Sequence, residues 1–209
     1  MRNTALTKEL QGNLTPKSVL QDLLDGNERY IANNLTASDV TSLVEQTTGG
    51  QFPKAVVLSC IDSRVPVELV FDQTIGDIFV ARVAGNFENV DILGSMEYSC
   101  AVAGSKLVFV LGHESCGAVK AACDGVELGN ITSMLANITP AAKMASEQVD
   151  GVADSSNPAF VAKTVENNVK LTIERIRERS KILQEMEDNG EIAIVGGVYS
   201  LHTGKVTML

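Results

Sequence analysis

Cys60, His113 and Cys116 fall in two short motifs, Cys60-Ile61-Asp62-Ser63-Arg64 and His113-Glu114-Ser115-Cys116-Gly117, each closing an aliphatic run. Two thiolates and an imidazole are ligand types that zinc takes in tetrahedral geometry. Three protein ligands leave the fourth position for water or substrate, the pattern of a catalytic metal. Asp62 and Arg64 stand at alternating positions after Cys60, which sets a carboxylate and a guanidinium side by side near the open corner. One Asp62 oxygen can then accept from Arg64 while the other accepts from water at the metal. Two alternatives stay open at this level. Asp62 can itself be the fourth ligand, an inactive closed state, or the two residues can be an ordinary ion pair that holds a loop.

The remaining candidates carry less chemistry. Cys100 lies on an expected helix and Cys123 in the alanine-rich helix after Cys116, where free cysteine is ordinarily a small buried hydrophobe. His202, the only other histidine, has no thiol or carboxylate at ligand spacing and reads as structural or exposed. With no C-x-x-C pair in a chain of 209 residues, the four cysteines read as reduced thiols rather than as a disulfide framework.

Composition narrows the functional class. A formal net charge of -9 with no basic run argues against a nucleic-acid partner or an anionic membrane surface, both of which reward clustered Lys and Arg. It favours an uncharged small molecule at the site. The apolar stretches are too short to span a bilayer and the N-terminus lacks an apolar signal core, so a soluble protein is expected. The default compartment is the cytoplasm, or the periplasm if a signal peptide preceded this sequence.

The elements that must position the motifs are legible as an alternation. Thr15-Pro16 reads as an N-cap and first helical residue, opening a helix with Val19, Leu20, Leu23, Leu24 and Ile31 as its apolar stripe. Strands are expected at Lys54 to Ser59, Ile78 to Val83, Lys106 to Leu111 and Ile192 to Val195. Helical periodicity occupies Asn89 to Ala103 and Ala159 to Glu187, and Tyr199 to Val206 reads as a short hairpin or edge strand. This order predicts an α/β fold, a central, mostly parallel β-sheet flanked by helices, in which ligands bind beyond the carboxyl ends of the strands. Both motifs fall at such ends. The length suits one domain over residues 1–209 with an N-terminal helical arm over about 1–48.

C-x-D-S-R-V at Cys60 to Val65, R-V-A-G-N at Arg82 to Asn86 and H-x-x-C-G at His113 to Gly117 together resemble the β-class carbonic anhydrases, in their plant-type branch, over roughly residues 15–200. The resemblance implies Zn²⁺ on Cys60, His113 and Cys116, with Asp62 and Arg64 as the catalytic dyad. The implied reaction is reversible hydration of carbon dioxide to bicarbonate and a proton. It further implies substrate contacts by Gln51, Val65, Phe79, Tyr98 and the backbone N–H of Gly117, some of them in a site built between the subunits of a homodimer or dimer-based tetramer. Val57 stands where another branch of the family has a tryptophan that holds a noncatalytic bicarbonate, and the chain contains no Trp, so that inhibitory site is not expected. Two other readings use the same residues: a hydrolase of carbonyl sulfide or carbon disulfide, and a noncatalytic zinc-binding module. No histidine proton shuttle is evident.

Overall fold

The computed structural model describes residues 3–209. Its centre is a five-stranded sheet in the order β2-β1-β3-β4-β5. The strands are β1 (Ala55–Ser59), β2 (Ile78–Arg82), β3 (Leu107–His113), β4 (Ala193–Tyr199) and β5 (Val206–Met208). The first four run parallel, and β5 pairs antiparallel with β4 as the return of a short hairpin. Every residue of β1 and β3 is buried, which explains their unbroken aliphatic sequences. β2 is the edge strand and stays partly exposed along its length.

Strand alternation sends odd-numbered side chains to one face and even-numbered ones to the other. Val57, Leu107, Phe109 and Leu111 pack with Val19 and Leu23 of the helix α2 (Pro16–Ile31) and with Phe71, whose ring meets Phe109 edge-on at 5.2 Å between centroids. Val56, Leu58, Val108 and Val110 pack on the opposite face against three further helices, α5 (Val90–Glu97), α9 (Pro158–Arg179) and α10 (Lys181–Asp188). Between them in sequence lie α6 (Gly117–Cys123), α7 (Gly129–Leu135) and α8 (Thr139–Ser146). The arm before β1 comprises α1 (Lys8–Gly12), α2 and α3 (Val40–Thr47), and the short α4 (Val67–Val70) links β1 to β2.

The capping signals of α2 hold: Thr15 and Ser18 form a reciprocal capping box with Pro16 at the first helical position. Its buried stripe differs from the expected one. Ile31 is exposed, and Gly26 and Asn27 continue the buried face instead. A Cβ at Gly26 would lie 1.9 Å from the Phe71 carbonyl oxygen, so helix and loop touch backbone to backbone there. Asn27 donates to the carbonyls of Val70 and Gly204 and accepts from Val206 N–H, joining α2 to the terminal hairpin through a fully used amide.

The helical periodicity expected over Ala159 to Glu187 is realised as two helices. Ser180 ends α9 and caps α10, accepting from Leu183 N–H and donating to Glu97 at 2.5 Å. Helix α5 runs on into a π-helical turn at Tyr98–Val102. Strand β4 reaches Tyr199, four residues beyond the expected end, because Gly196 and Gly197 leave room for α9 above the sheet and for β5 beside it.

Candidate metal centre

In the order 2-1-3-4 the chain leaves β1 toward one edge for β2 and returns to the other side for β3. The crevice between the carboxyl ends of β1 and β3 is the topological switch point of an open parallel sheet, the usual ligand position in such folds. Cys60 follows the last residue of β1, His113 is the last residue of β3, and Cys116 immediately precedes α6. Connection order therefore brings residues 53 apart in sequence to one place.

The ligand atoms of Cys60, His113 and Cys116 all lie within 4.8 Å of one another, and all three residues are buried. The two sulfurs are 3.9 Å apart. Bonds of about 2.3 Å to a tetrahedral centre would space them at about 3.8 Å, so the pair fits the edge of a zinc coordination tetrahedron. His113 is fully buried, its Nδ1 lies 2.8 Å from the Glu114 carbonyl oxygen, and its Nε2 has no hydrogen-bond partner among the described residues. A buried ring nitrogen left unpaired is costly. The Nδ1–H to carbonyl bond selects the tautomer that offers Nε2 as a ligand. The chemistry of these three residues thus fits a zinc ion.

The two thiols titrate as a pair. Their mutual hydrogen bond holds Cys116 protonated, with burial adding to the upward shift, and pushes Cys60 down. The N–H groups of Gly85 and Asp62 also favour the Cys60 thiolate. The Gly85 contact is direct, with its N–H 3.3 Å from the Cys60 sulfur.

Asp62 and Arg64 stand at the mouth. Arg64 grips the carboxylate with both arms, Nε to Oδ1 at 2.9 Å and Nη2 to Oδ2 at 2.7 Å, while Arg64 N–H donates to Oδ1 at 2.9 Å. That grip holds the Asp62 carboxyl well below the usual carboxylate range. Oδ2 also lies 3.8 Å from His113 Nε2, on the rim of the ligand cluster but outside the set of three. Arg82, from the end of β2, donates to the carbonyls of Asp62 and Val65 at 2.9 and 3.0 Å and so fixes the loop that carries the dyad. Ser115 takes a left-handed backbone conformation (φ +52°) between His113 and Cys116, a conformation that costs a non-glycine residue roughly 1–2 kcal/mol.

The other expected site residues divide by position. Gly117 opens α6 next to Cys116, with nothing within 4 Å of where a Cβ would stand. Val65 is fully buried in the core under α2, next to the dyad in sequence. Gln51, Phe79 and Tyr98 are not gathered at the cluster of the same chain. Phe79 is opposite Val56 in the sheet, four residues before Cys60 and so roughly 13 Å back along the strand. It faces Tyr98 at 6.3 Å between ring centroids, and both line a groove of about 680 Å³ with Val90 and Gly94 on the β2 side. Gln51 is exposed before β1, on the amino side of the sheet.

Glu114 turns away from the cluster and accepts from Ser200 Oγ at 2.9 Å and Leu201 N–H at 3.0 Å, pinning the second motif to the terminal hairpin. His202 is exposed, and Cys100 is a core residue. Cys123, half-buried, lies 3.7 Å from Thr164 Oγ1. Sequence reasoning assigned no role to Arg82 or Gly85, although both lie in the R-V-A-G-N motif it had singled out. It passed over Asn168, whose signal is a polar residue on the buried face of α9 between Val165 and Val169.

Comparison with known proteins agrees with this geometry. The family model described as carbonic anhydrase matches residues 55–206. Carbonic anhydrase 2 of Mycobacterium tuberculosis is 33% identical over 204 residues, 94% of each chain, and the carbonic anhydrase of Mycolicibacterium smegmatis is 34% identical over 202 residues, again 94% of each. Among solved structures, the Coccomyxa β-carbonic anhydrase in complex with acetazolamide superimposes with a TM-score of 0.71 at 26% identity, covering 91% of this chain and 86% of that one. A tetrameric β-carbonic anhydrase of Sordaria macrospora shares the fold at a TM-score of 0.71 and 22% identity, over 79% of this chain and 88% of that one. With a matching family model, relatives aligned over nearly their whole length, and two thiols and an imidazole meeting at the switch point, the chain belongs to the β-carbonic anhydrase family.

Proposed function

We propose that the chain catalyses the reversible hydration of carbon dioxide to bicarbonate and a proton with Zn²⁺ held by Cys60, His113 and Cys116. The observation that carries this reading is the buried three-ligand cluster with the Asp62–Arg64 pair at its rim. A zinc ion at that position would supply the Lewis acidity that makes water nucleophilic near neutral pH. The protein's own groups do the rest. Asp62, kept ionised by Arg64, turns Oδ2 toward the cluster, where it would accept a hydrogen bond from the attacking oxygen and orient it. Because both Asp62 oxygens are bonded to Arg64 and lie outside the ligand set, this geometry supports the open arrangement over the closed one in which Asp62 binds the metal.

Gly117 follows Cys116 directly and Val65 follows the dyad in sequence, which supports reading them as the contacts supplied by the same chain. In this reading the Gly117 N–H, at the start of α6, serves a developing oxyanion, and the buried Val65 backs the loop that carries the dyad. Gln51, Phe79 and Tyr98 belong to the site of a second copy. The partly exposed edge strand β2 and the groove beside it, with Val90 74% and Tyr98 57% exposed, supply the apolar face across which two chains pair. We read the chain as one domain whose N-terminal arm joins this assembly. No helix among the described residues is long and apolar enough to cross a membrane. A cytoplasmic location is the simplest setting for its reduced thiols.

Rapid-mixing measurement of carbon dioxide hydration, with metal content determined on the same sample, tests the proposal. Turnover should track zinc occupancy and exceed hydrolysis of carbonyl sulfide and carbon disulfide measured alongside. Full hydration activity in metal-depleted protein would overturn it.

A further inference from the structure

We propose that Asn168, near the middle of helix α9, is a positioning residue that fixes the hydrogen bond to the Cys60 sulfur and thereby the metal affinity of the site. The inference rests on the reading of Cys60 as a metal ligand and extends it to a residue outside the three family motifs. Asn168 is 1% exposed and donates from Nδ2 to the Gly85 carbonyl at 2.7 Å. The N–H of the same glycine donates to Cys60 Sγ at 3.3 Å. Gly85 is thus held at both ends, by the thiolate it serves and by the amide behind it.

The local backbone explains why a second anchor matters. Val83 to Asn86 form a turn closed by Asn86 N–H to the Val83 carbonyl at 3.0 Å, with Gly85 at its third position and φ +83°. That is the position which requires a positive φ in a type II turn. Turns of types I and II differ by a flip of their central peptide, the one that carries the Gly85 N–H. A flip would aim that N–H away from sulfur. Asn168 holds the following peptide through its Gly85 carbonyl and so fixes the frame on which the central peptide would turn, and Ile138 of the α7–α8 connection closes the other side, 2.3 Å from where a Cβ would stand.

The helix reaches this point because two strand glycines let it settle on the sheet. A Cβ at Gly112 would lie 2.6 Å from Val169 Cγ2, and one at Gly196 would lie 2.5 Å from Val169 Cγ1. The coupling therefore runs from the glycines of β3 and β4 through α9 to the first metal ligand. A hydrogen bond to a coordinating sulfur tunes its charge and holds its direction. Loss of such an outer partner commonly weakens metal binding by roughly 10- to 100-fold.

The test loads the protein with ¹¹³Cd²⁺ and looks for scalar coupling between the metal and the Gly85 amide proton across the sulfur, together with zinc affinity by chelator competition. Wild type should show the coupling. Asn168→Leu, which keeps the branched shape and removes the donor, should weaken or abolish it and lower zinc affinity roughly tenfold or more. Thr172→Val is the control for packing alone: Thr172 is fully buried one turn further along α9, and its hydroxyl has no hydrogen-bond partner among the described residues. It should leave both readouts at wild-type values. If Asn168→Leu does not fold, Asn168→Ser, whose hydroxyl is too short to reach, carries the comparison.

Cadmium-loaded wild type with no coupling at Gly85 would overturn the inference while leaving the metal reading intact. So would unchanged coupling and affinity in the Asn168 variants, or an equal loss in Thr172→Val. Wild type that binds neither cadmium nor zinc would overturn the metal reading, and this inference with it.

Discussion

The two ends of β1 are built differently. At its carboxyl end, Cys60, His113 and Cys116 are buried and gathered by one chain, and the dyad beside them is held by Arg64 and Arg82 from the same chain. On the β2 side Phe79, level with a residue roughly 13 Å back along β1 from Cys60, and the exposed Tyr98 line an open groove. Metal capture and substrate enclosure are therefore separable. In the proposed reading the first needs only the fold, and the second a second copy.

The largest break in that contrast comes at the cluster itself. Cys116→Ser should remove both zinc and carbon dioxide hydration, because a hydroxyl in a buried site is a poor replacement for a thiolate; metal analysis and rapid mixing on one sample check this. Asp62→Asn should retain zinc and lose turnover by roughly 10²- to 10⁴-fold, the usual scale for a positioned acid or base. Zinc loss in Asp62→Asn would instead place Asp62 among the ligands.

A smaller effect should follow from the other side. Val90→Glu puts a charge on the exposed groove at the first turn of α5, where an acidic residue suits the helix, so folding should be unharmed. Specific activity should fall about tenfold at low protein concentration with zinc retained, while sedimentation reports monomers. Full activity in a proven monomer would show that one chain completes its own site.

The smallest effect lies in the acid limb of activity. Arg64 depresses the Asp62 pKa, so the folded carboxylate stays ionised above its unfolded value near 4 and loses that charge only as pH falls through its lower folded value. Asp62 should not titrate across neutral pH. With zinc bound as proposed, two thiolates would offset its charge, and the rise in turnover should lie toward alkaline pH. Arg64→Ala should bring the acid limb up toward ordinary carboxylate values and leave the alkaline rise in place. A pH profile of kcat/KM for both proteins decides it.

Much of this was readable before any coordinates. β1 and β3 are legible because strands buried on both faces must be continuously aliphatic, and α2 because Thr15-Pro16 is an unambiguous start. The end of α2's apolar stripe was misjudged because periodicity cannot foresee a backbone contact such as Gly26 against Phe71. Periodicity carries across Ser180, and the corner there is set by its cap on Leu183 N–H and its bond to Glu97. Arg82 and Gly85 were visible as a motif without a mechanism, since their partners, Asp62, Val65 and Cys60, lie elsewhere in the chain.

By itself the sequence determined the ligand chemistry, two thiols, one imidazole and a carboxylate–guanidinium neighbour, together with an alternation of elements that admits a parallel sheet. Those are properties of residue type and short-range spacing, which the covalent chain carries directly. Tertiary structure alone decided that β1 and β3 lie side by side with β2 on the far edge, that Asp62 faces the cluster while bonded to Arg64, and that Asn168 comes to rest behind Cys60. Those depend on strand order, helix approach and backbone hydrogen bonds between distant segments, and only the packed chain fixes them.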